Sequence, residues 1–161
     1  MSEASDKTPM TVQGRIRLEA ELKKLIHEDR PAVIKAIEEA RAQGDISENA
    51  EYDAAKEQQA IIEGRIAEIQ AKIATAEVIE PSEIRADRIV FGATVVVEDL
   101  DDGETHTYQI VGVDEADVKA GKISIMSPIA RALIGKKVGE IVAVKSPKGD
   151  REIEVKSFKY V

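Results

Sequence analysis

Apolar residues in the first half of the chain fall at helical steps. Leu18, Leu22 and Leu25 recur four and three apart, followed by Val33, Ile34, Ile37 and Ala40. Pro31 interrupts the run. It lacks an N–H and clashes with the carbonyl four residues back, so a kink or short break is expected, with Asp29 available to cap the second piece. Gly44 suits the position just past a helix end, where positive φ costs glycine nothing. The second helical pattern is stronger: Ala55, Ile62, Ile66, Ile69, Ile73 and Ala76 share one heptad-like seam. Gly64 lies inside it at a cost of about 1 kcal/mol relative to Ala, for which close approach of a partner helix is one reason. Two long helices and a short turn predict an antiparallel hairpin over residues 11–79, its tip at 44–52. With roughly 30 residues per arm and ~1.5 Å rise per residue, the rod would be ~45 Å long.

The period changes after "VIEPSEIRAD". Pro81 closes the second helix, and residues 80–87 read as a linker. "ATVVVEDLDDGETHTYQIVGV" reads as strand, Asp-Gly turn, strand; "GKISIMS" is another strand. "PIARALIG" opens on Pro128 at a favoured first helical position and closes on Gly135. "EIVAVKSPKGDREIEVKSFKYV" is a final hairpin turning at 147–150. Residues 88–161 therefore predict a compact α+β domain, giving a two-domain α+β chain without internal repeat.

Composition fits this division. Charged residues make up 34% and aromatics 3% of the 161 residues, which suits solvated helices and a small β-rich module better than one large core. Net charge is −8, and neither half is basic: residues 1–80 hold 11 Lys/Arg against 17 Asp/Glu, and residues 81–161 hold 12 against 14. A general nucleic-acid binder must neutralise phosphates, so any such contact here is local or arranged by a partner. With no Cys, disulfides and thiolate metal sites are excluded. His27 and His106 stand far apart and read as ordinary surface or loop residues. No apolar run approaches a membrane span, and residues 1–10 read as a disordered lead into a cytoplasmic protein without a signal peptide.

The candidate chemistry sits in "ARAQGDISENAEYDAAKEQQ", where Asp45, Glu48 and Glu51 crowd one turn. One reading is structural: Asp45 caps the second helix, Glu48 completes a capping box, and both suit the positive helix end. The other is catalytic. Two carboxylates can share Mg²⁺, but this strongly hydrated ion needs more ligands than an exposed pair supplies. Such a tip would matter only where another macromolecule or a substrate phosphate completed the metal site.

The stretch "RPAVIKAIEEARAQGDISENAEYDAAKEQQAIIEGRI" resembles the N-terminal hairpin of the bacterial transcript cleavage (Gre) factors. "FGATVVV", "YQIVGVDEADVKAGKIS" and "SPIARALIGKKVGE" resemble their C-terminal domain in the same order. The resemblance spans Met10 to Tyr160. It implies an FKBP-like C-terminal domain that docks at the rim of the RNA polymerase secondary channel, while the coiled-coil hairpin enters the channel. Asp45 and Glu48 then match the tip acids that help hold the second, weakly bound Mg²⁺ of the polymerase and position the attacking water. The nascent RNA 3′ end, extruded by backtracking, is the substrate. Arg41 and Lys56 match basic positions facing that RNA, and the sparse basic residues resemble the milder, GreA type of hairpin. Asn49, Glu51 and Tyr52 are expected to shape the tip, Asn49 and Glu51 alternatively as capping residues and Tyr52 by stacking on the hairpin or on the polymerase. Ser124, Met126 and Pro128 match the polymerase-docking loop; Met126 stands where the GreB-type pattern has an acid. The resemblance further implies a factor without activity of its own, acting as a monomer, with no membrane partner.

Two rival readings remain at this point. An FKBP-like domain could be a peptidyl-prolyl isomerase, although Phe91, Tyr108, Phe158 and Tyr160 alone would have to build both pocket walls and core. A channel-entering relative could also bind and inhibit without promoting cleavage.

Overall fold

A computed structural model of the chain describes residues 7–44 and 49–161. It forms two compact units: residues 15–75, and a second made of residues up to Gly14 together with Ala76–Val161. The chain is thus a two-domain α+β protein, and each unit is described by itself.

The helical unit contains most of α1 (Val12–Lys24), a π-helical turn at Leu25–Asp29, α2 (Arg30–Ala42) and α3 (Ala50–Ala74). Successive ties between the arms, Ala40 to Asn49, Arg30 to Glu63 and Glu21 to Arg65, run in opposite sequence directions, so the arms are antiparallel. Leu18, Leu25, Val33, Ile37 and Ala40 are buried on the first arm, and Ile62, Ile66 and Ile69 on the second. Ile73 is only half-buried.

Pro31 does not break the helix. The five-residue turn before it closes with Arg30 N–H donating to the carbonyl of Leu25, one residue further back than in an α-helix. A π-turn lets the ladder skip a residue where proline can neither donate nor tolerate the usual carbonyl. Asp29 is accordingly helical and caps nothing; its carboxylate takes Lys24 Nζ at 3.2 Å. The extra residue also sets the seam. Leu18 to Leu25 is seven residues, but the next buried position is Val33, eight on. Ile34, expected in the seam, lies about 100° round the helix from Val33 and is exposed.

Ion pairs flank this narrow stripe. Arg30 grips Glu63 with two bonds of 2.8 and 2.7 Å. Arg65 does the same to Glu21 at 2.5 and 2.8 Å, and also reaches Glu68. The Arg65 bond is the main cause holding the Glu21 carboxyl below its ordinary value, and Arg30 does the same for Glu63.

The second unit begins earlier than the sequence reading placed it. Thr8–Met10 were expected in a disordered lead, but Thr8–Thr11 form β1, parallel to β2 (Ala76–Ile79). Met10 and Thr11 are buried, which fixes this strand against the unit. Ala76, expected on the helical seam, instead opens β2 after Thr75 ends α3. In the expected linker, Pro81–Glu83 make a 3₁₀ turn with Pro81 buried.

Five strands form the main sheet: β3 (Thr94–Asp99), β4 (Thr105–Val111), β5 (Lys122–Ser124), β6 (Ile141–Val144) and β7 (Arg151–Lys159). Their order is β5-β4-β3-β7-β6, with β4 and β5 parallel and the other neighbours antiparallel. Alternation along β3 buries Val95 and Val97 against Ile89, Ile110, Leu133 of α4 (Pro128–Leu133) and Val155. At the expected Asp-Gly turn, buried Asp99 accepts from Asp101 N–H at 2.9 Å and from Arg151 Nε at 3.0 Å. Gly103 takes the positive φ of 74° that this tight return requires.

Close helix approach does not explain Gly64. A Cβ placed there meets nothing within 4 Å. Gly64→Ala should therefore stabilise the chain by about 1 kcal/mol through helix propensity alone, read as a raised denaturant midpoint. Acid should weaken the flanking pairs. Because the folded values of Glu21, Glu63 and Glu68 are lowered, their contribution is present above the unfolded carboxylate value. It should be lost as pH falls below roughly 4.3 and through the lowered folded values, seen as falling stability of the helical unit in an acid titration monitored by circular dichroism.

Candidate functional site at the hairpin tip

The tip is framed by the end of α2 and the start of α3. Gly44, at φ 113°, follows the last turn of α2 and donates to the carbonyl of Arg41 at 3.3 Å. Asp45 and Glu48, the expected acids, lie outside the described residues.

Asn49, rather than Asp45, caps the second helix. Its Oδ1 accepts from Tyr52 N–H at 3.1 Å, so the helix starts at Ala50. The same side chain donates from Nδ2 to the carbonyl of Ala40 at 2.6 Å. One amide thus satisfies an orphan donor at the start of α3 and a carbonyl near the end of α2. Asp-x-x-Glu and Asn-x-x-Tyr both carry capping spacing, and the geometry here favours the second. Glu51 and Asp53 occupy the first turn of α3, where the helix end favours negative charge.

The structure brings Arg41 and Tyr52 together across the tip. The Arg41 guanidinium carbon lies 6.0 Å from the Tyr52 ring centroid, within cation–π range. Lys56 stands a turn further along α3, exposed, with Nζ 3.2 Å from Gln59 Oε1. Among the described residues, no group of three or more His, Asp or Glu side chains is placed to hold a metal. None of their helices is long and apolar enough to cross a membrane.

A separate cluster surrounds the expected docking loop. Ser124 ends β5, and its hydroxyl accepts from Met126 N–H at 3.0 Å, which shapes the loop. Met126 is 56% exposed, and its sulfur lies 4.0 Å from an Arg131 nitrogen. Ser127 caps α4 by accepting from Ala130 N–H, with Pro128 at the first helical position. Ser127 and Pro128 also line a cavity of about 440 Å³ with Val97, Ile123, Ile129 and Ile153. Tyr108 and His106, 5.9 Å apart and stacked, are its only aromatic walls, and burial is the main cause raising the Tyr108 phenol above its ordinary value.

Family comparison covers both units. The N-terminal transcription elongation factor model matches residues 8–78, and the GreA/GreB C-terminal model matches residues 84–160. The chain belongs to the GreA/GreB family of transcription elongation factors. Among GreA/GreB relatives, transcription elongation factor GreA of Ralstonia nicotianae is 60% identical over 154 residues, covering 95% of this chain and 98% of its own. The GreA of Thioalkalivibrio sulfidiphilus is 58% identical over 156 residues, covering 96% and 99%. The crystal structure of GreA factor homolog 1 (Gfh1) of Thermus thermophilus is 31% identical and covers 94% of this chain and 98% of that one, with a TM-score of 0.44.

Among the described residues of this GreA/GreB chain, sequence reasoning missed the buried polar groups Thr11, Asp99 and Glu115, and Glu115 finds its partner Thr11 104 residues away. No local spacing signals such a pair.

The two roles of the Asn49 amide are separable. Asn49→Ala should cost roughly 0.5–2 kcal/mol for the cap and should expose the Tyr52 amide to hydrogen exchange. Asn49→Asp keeps an acceptor for Tyr52 but loses the donor to Ala40. It should leave that amide protected while still lowering the unfolding midpoint.

Proposed function

We propose that this chain promotes Mg²⁺-dependent cleavage of backtracked RNA inside RNA polymerase, its hairpin tip entering the secondary channel. What carries the reading is the Asp45/Glu48 pair, set between two helix ends in a chain whose halves both match the elongation-factor family. Asn49 caps α3, so the start of that helix does not require either acid.

The chemistry follows from ligand count. Two carboxylates are too few for Mg²⁺, so the polymerase and the RNA phosphate would have to supply the remaining ligands. Water attacks the phosphorus in line, the bond to the 3′ oxygen of the upstream nucleotide breaks, and that oxygen leaves to become the new 3′ end. Mg²⁺ held there would supply charge stabilisation for the displacement. Asp45 and Glu48 would hold the weaker metal and orient the water, while Arg41 and Lys56 would face the extruded RNA. Tyr52 would restrain Arg41 on one side. Activity then belongs to the complex, and the isolated factor, acting as a cytoplasmic monomer, would cut nothing.

Docking is assigned to Ser124, Met126 and Pro128. The exposed Met126 and the apolar cavity lined by Pro128 favour a partner segment that presents apolar side chains. A proline-isomerase role is disfavoured by the same walls, in which Tyr108 and His106 stand among Val and Ile side chains and the charged Asp99, Lys145 and Arg151.

The test is a halted, backtracked polymerase complex incubated with the protein and Mg²⁺, followed for release of short RNA. Replacing both Asp45 and Glu48 by Ala should lower stimulated cleavage by about a hundredfold or more, with polymerase binding largely retained. Free RNA without polymerase should stay intact. A double variant that binds and cleaves like wild type would leave the acids without a catalytic role. Wild type that binds without promoting cleavage would favour the purely inhibitory reading.

A further inference from the structure

Glu115 is a buried carboxylate that the proposed chemistry does not use. It ends the 3₁₀ turn Val113–Glu115 between β4 and β5 and is 8% exposed. Three donors converge on it. Gly112 N–H and Thr11 N–H each reach Oε2 at 2.9 Å, and the Thr11 hydroxyl donates to Oε1. The Thr11 oxygen in turn accepts from Gly14 N–H at 3.1 Å, in the first turn of α1.

Thr11 is therefore the cap of α1, and Glu115 is the acceptor behind the cap. An ionised carboxylate accepts without donating, so it alone among acidic and amide side chains matches three converging donors. Charge assistance and the positive end of α1 strengthen each bond. The surroundings are shaped to admit it. A Cβ on Gly14 would overlap the Glu115 side chain, and one on Gly112 would lie 2.8 Å from both Glu115 Oε2 and the Pro9 carbonyl. Two glycines thus clear the space one carboxylate fills.

We infer that Glu115 is a positioning residue: it anchors β1 and the first turn of α1 to the C-terminal unit, and so couples a docked C-terminal unit to the tip. The coupling rests on the proposed function; the anchor does not. Without the anchor, the start of α1 would be held only by β1–β2 pairing, the packing of buried Met10 and chain connectivity. The docked factor would then present its tip at a lower effective concentration.

Two measurements on the full chain test this. In hydrogen exchange without polymerase, Glu115→Ala should speed exchange of the Thr11, Gly14 and Gly112 amides by roughly ten- to hundredfold, while Val95 and Val97 stay protected. Thr11→Val, which removes only the hydroxyl, should affect mainly Gly14. Glu115→Gln, which keeps an acceptor for both backbone N–H groups, should restore most protection at Thr11 and Gly112. In the cleavage assay, Glu115→Ala should lower the saturated rate severalfold with little change in the concentration for half-saturation. Variants of Met126 should show the opposite split. Wild-type exchange at Thr11 and Gly112 in Glu115→Ala, with Thr11→Val also silent at Gly14, would overturn the anchor. Faster exchange with an unchanged saturated rate would overturn the coupling. A wild-type factor that docks without promoting cleavage would overturn the functional reading and the coupling with it, and exchange would still decide the anchor.

Discussion

A hairpin only two helices wide can bury one stripe of each helix and no more. Everything in the helical unit answers to that constraint. The buried stripe is a short run of Leu, Val, Ile and Ala, so burial alone supplies a small driving force for arms this long. The flanks are occupied by forked Arg–Glu pairs between the arms, which define register more than they add stability in water. The ends need separate treatment, since four N–H and four C=O groups of each helix lack internal partners. At the tip, a single asparagine serves both arms.

The β unit solves the opposite problem. Its apolar core is continuous, with Ile89, Val95, Ile110 and Val155 fully enclosed, and specificity is added by two buried acids. Asp99 holds the return between β3 and β4 through a backbone amide and Arg151. Glu115 holds the strand that precedes the hairpin. Leaving either acid unpaired would strand a charge in a poorly solvated place, which makes both contacts hard to lose gradually.

How much of this could be read from the chain depends on how far each signal reaches. The Ile62–Ile66–Ile69 stripe, the alternation of "TVVVED", the Asp-Gly return and Pro128 at a helix start are local patterns, and each gives the right element. Ile34 was misplaced because consecutive residues lie about 100° apart on a helix, so Val33 and Ile34 cannot share one narrow stripe. Asn49 was legible as a tip-shaping or capping residue, although Asp45 offered an equally good local motif for the cap. Glu115 was invisible, since it follows a strand like any solvated acid and acquires its meaning from distant Thr11 and Gly14 together with nearby Gly112. Within the candidate site, Arg41, Asn49 and Tyr52 come together in space, while the acids that motivate the functional reading fall outside the described residues.

The π-turn at Leu25–Asp29 makes the two arms unequal in a way that matters for comparing related chains. It stores one surplus residue, so the first arm can be one residue longer than its seam requires without disturbing either end. A relative that lacked the surplus, and the proline with it, would run an unbroken seven-residue repeat through the same region. An alignment gap of one residue is therefore natural just there. Elsewhere on the arm, the same gap would rotate every later side chain by about 100° and carry the seam into solvent.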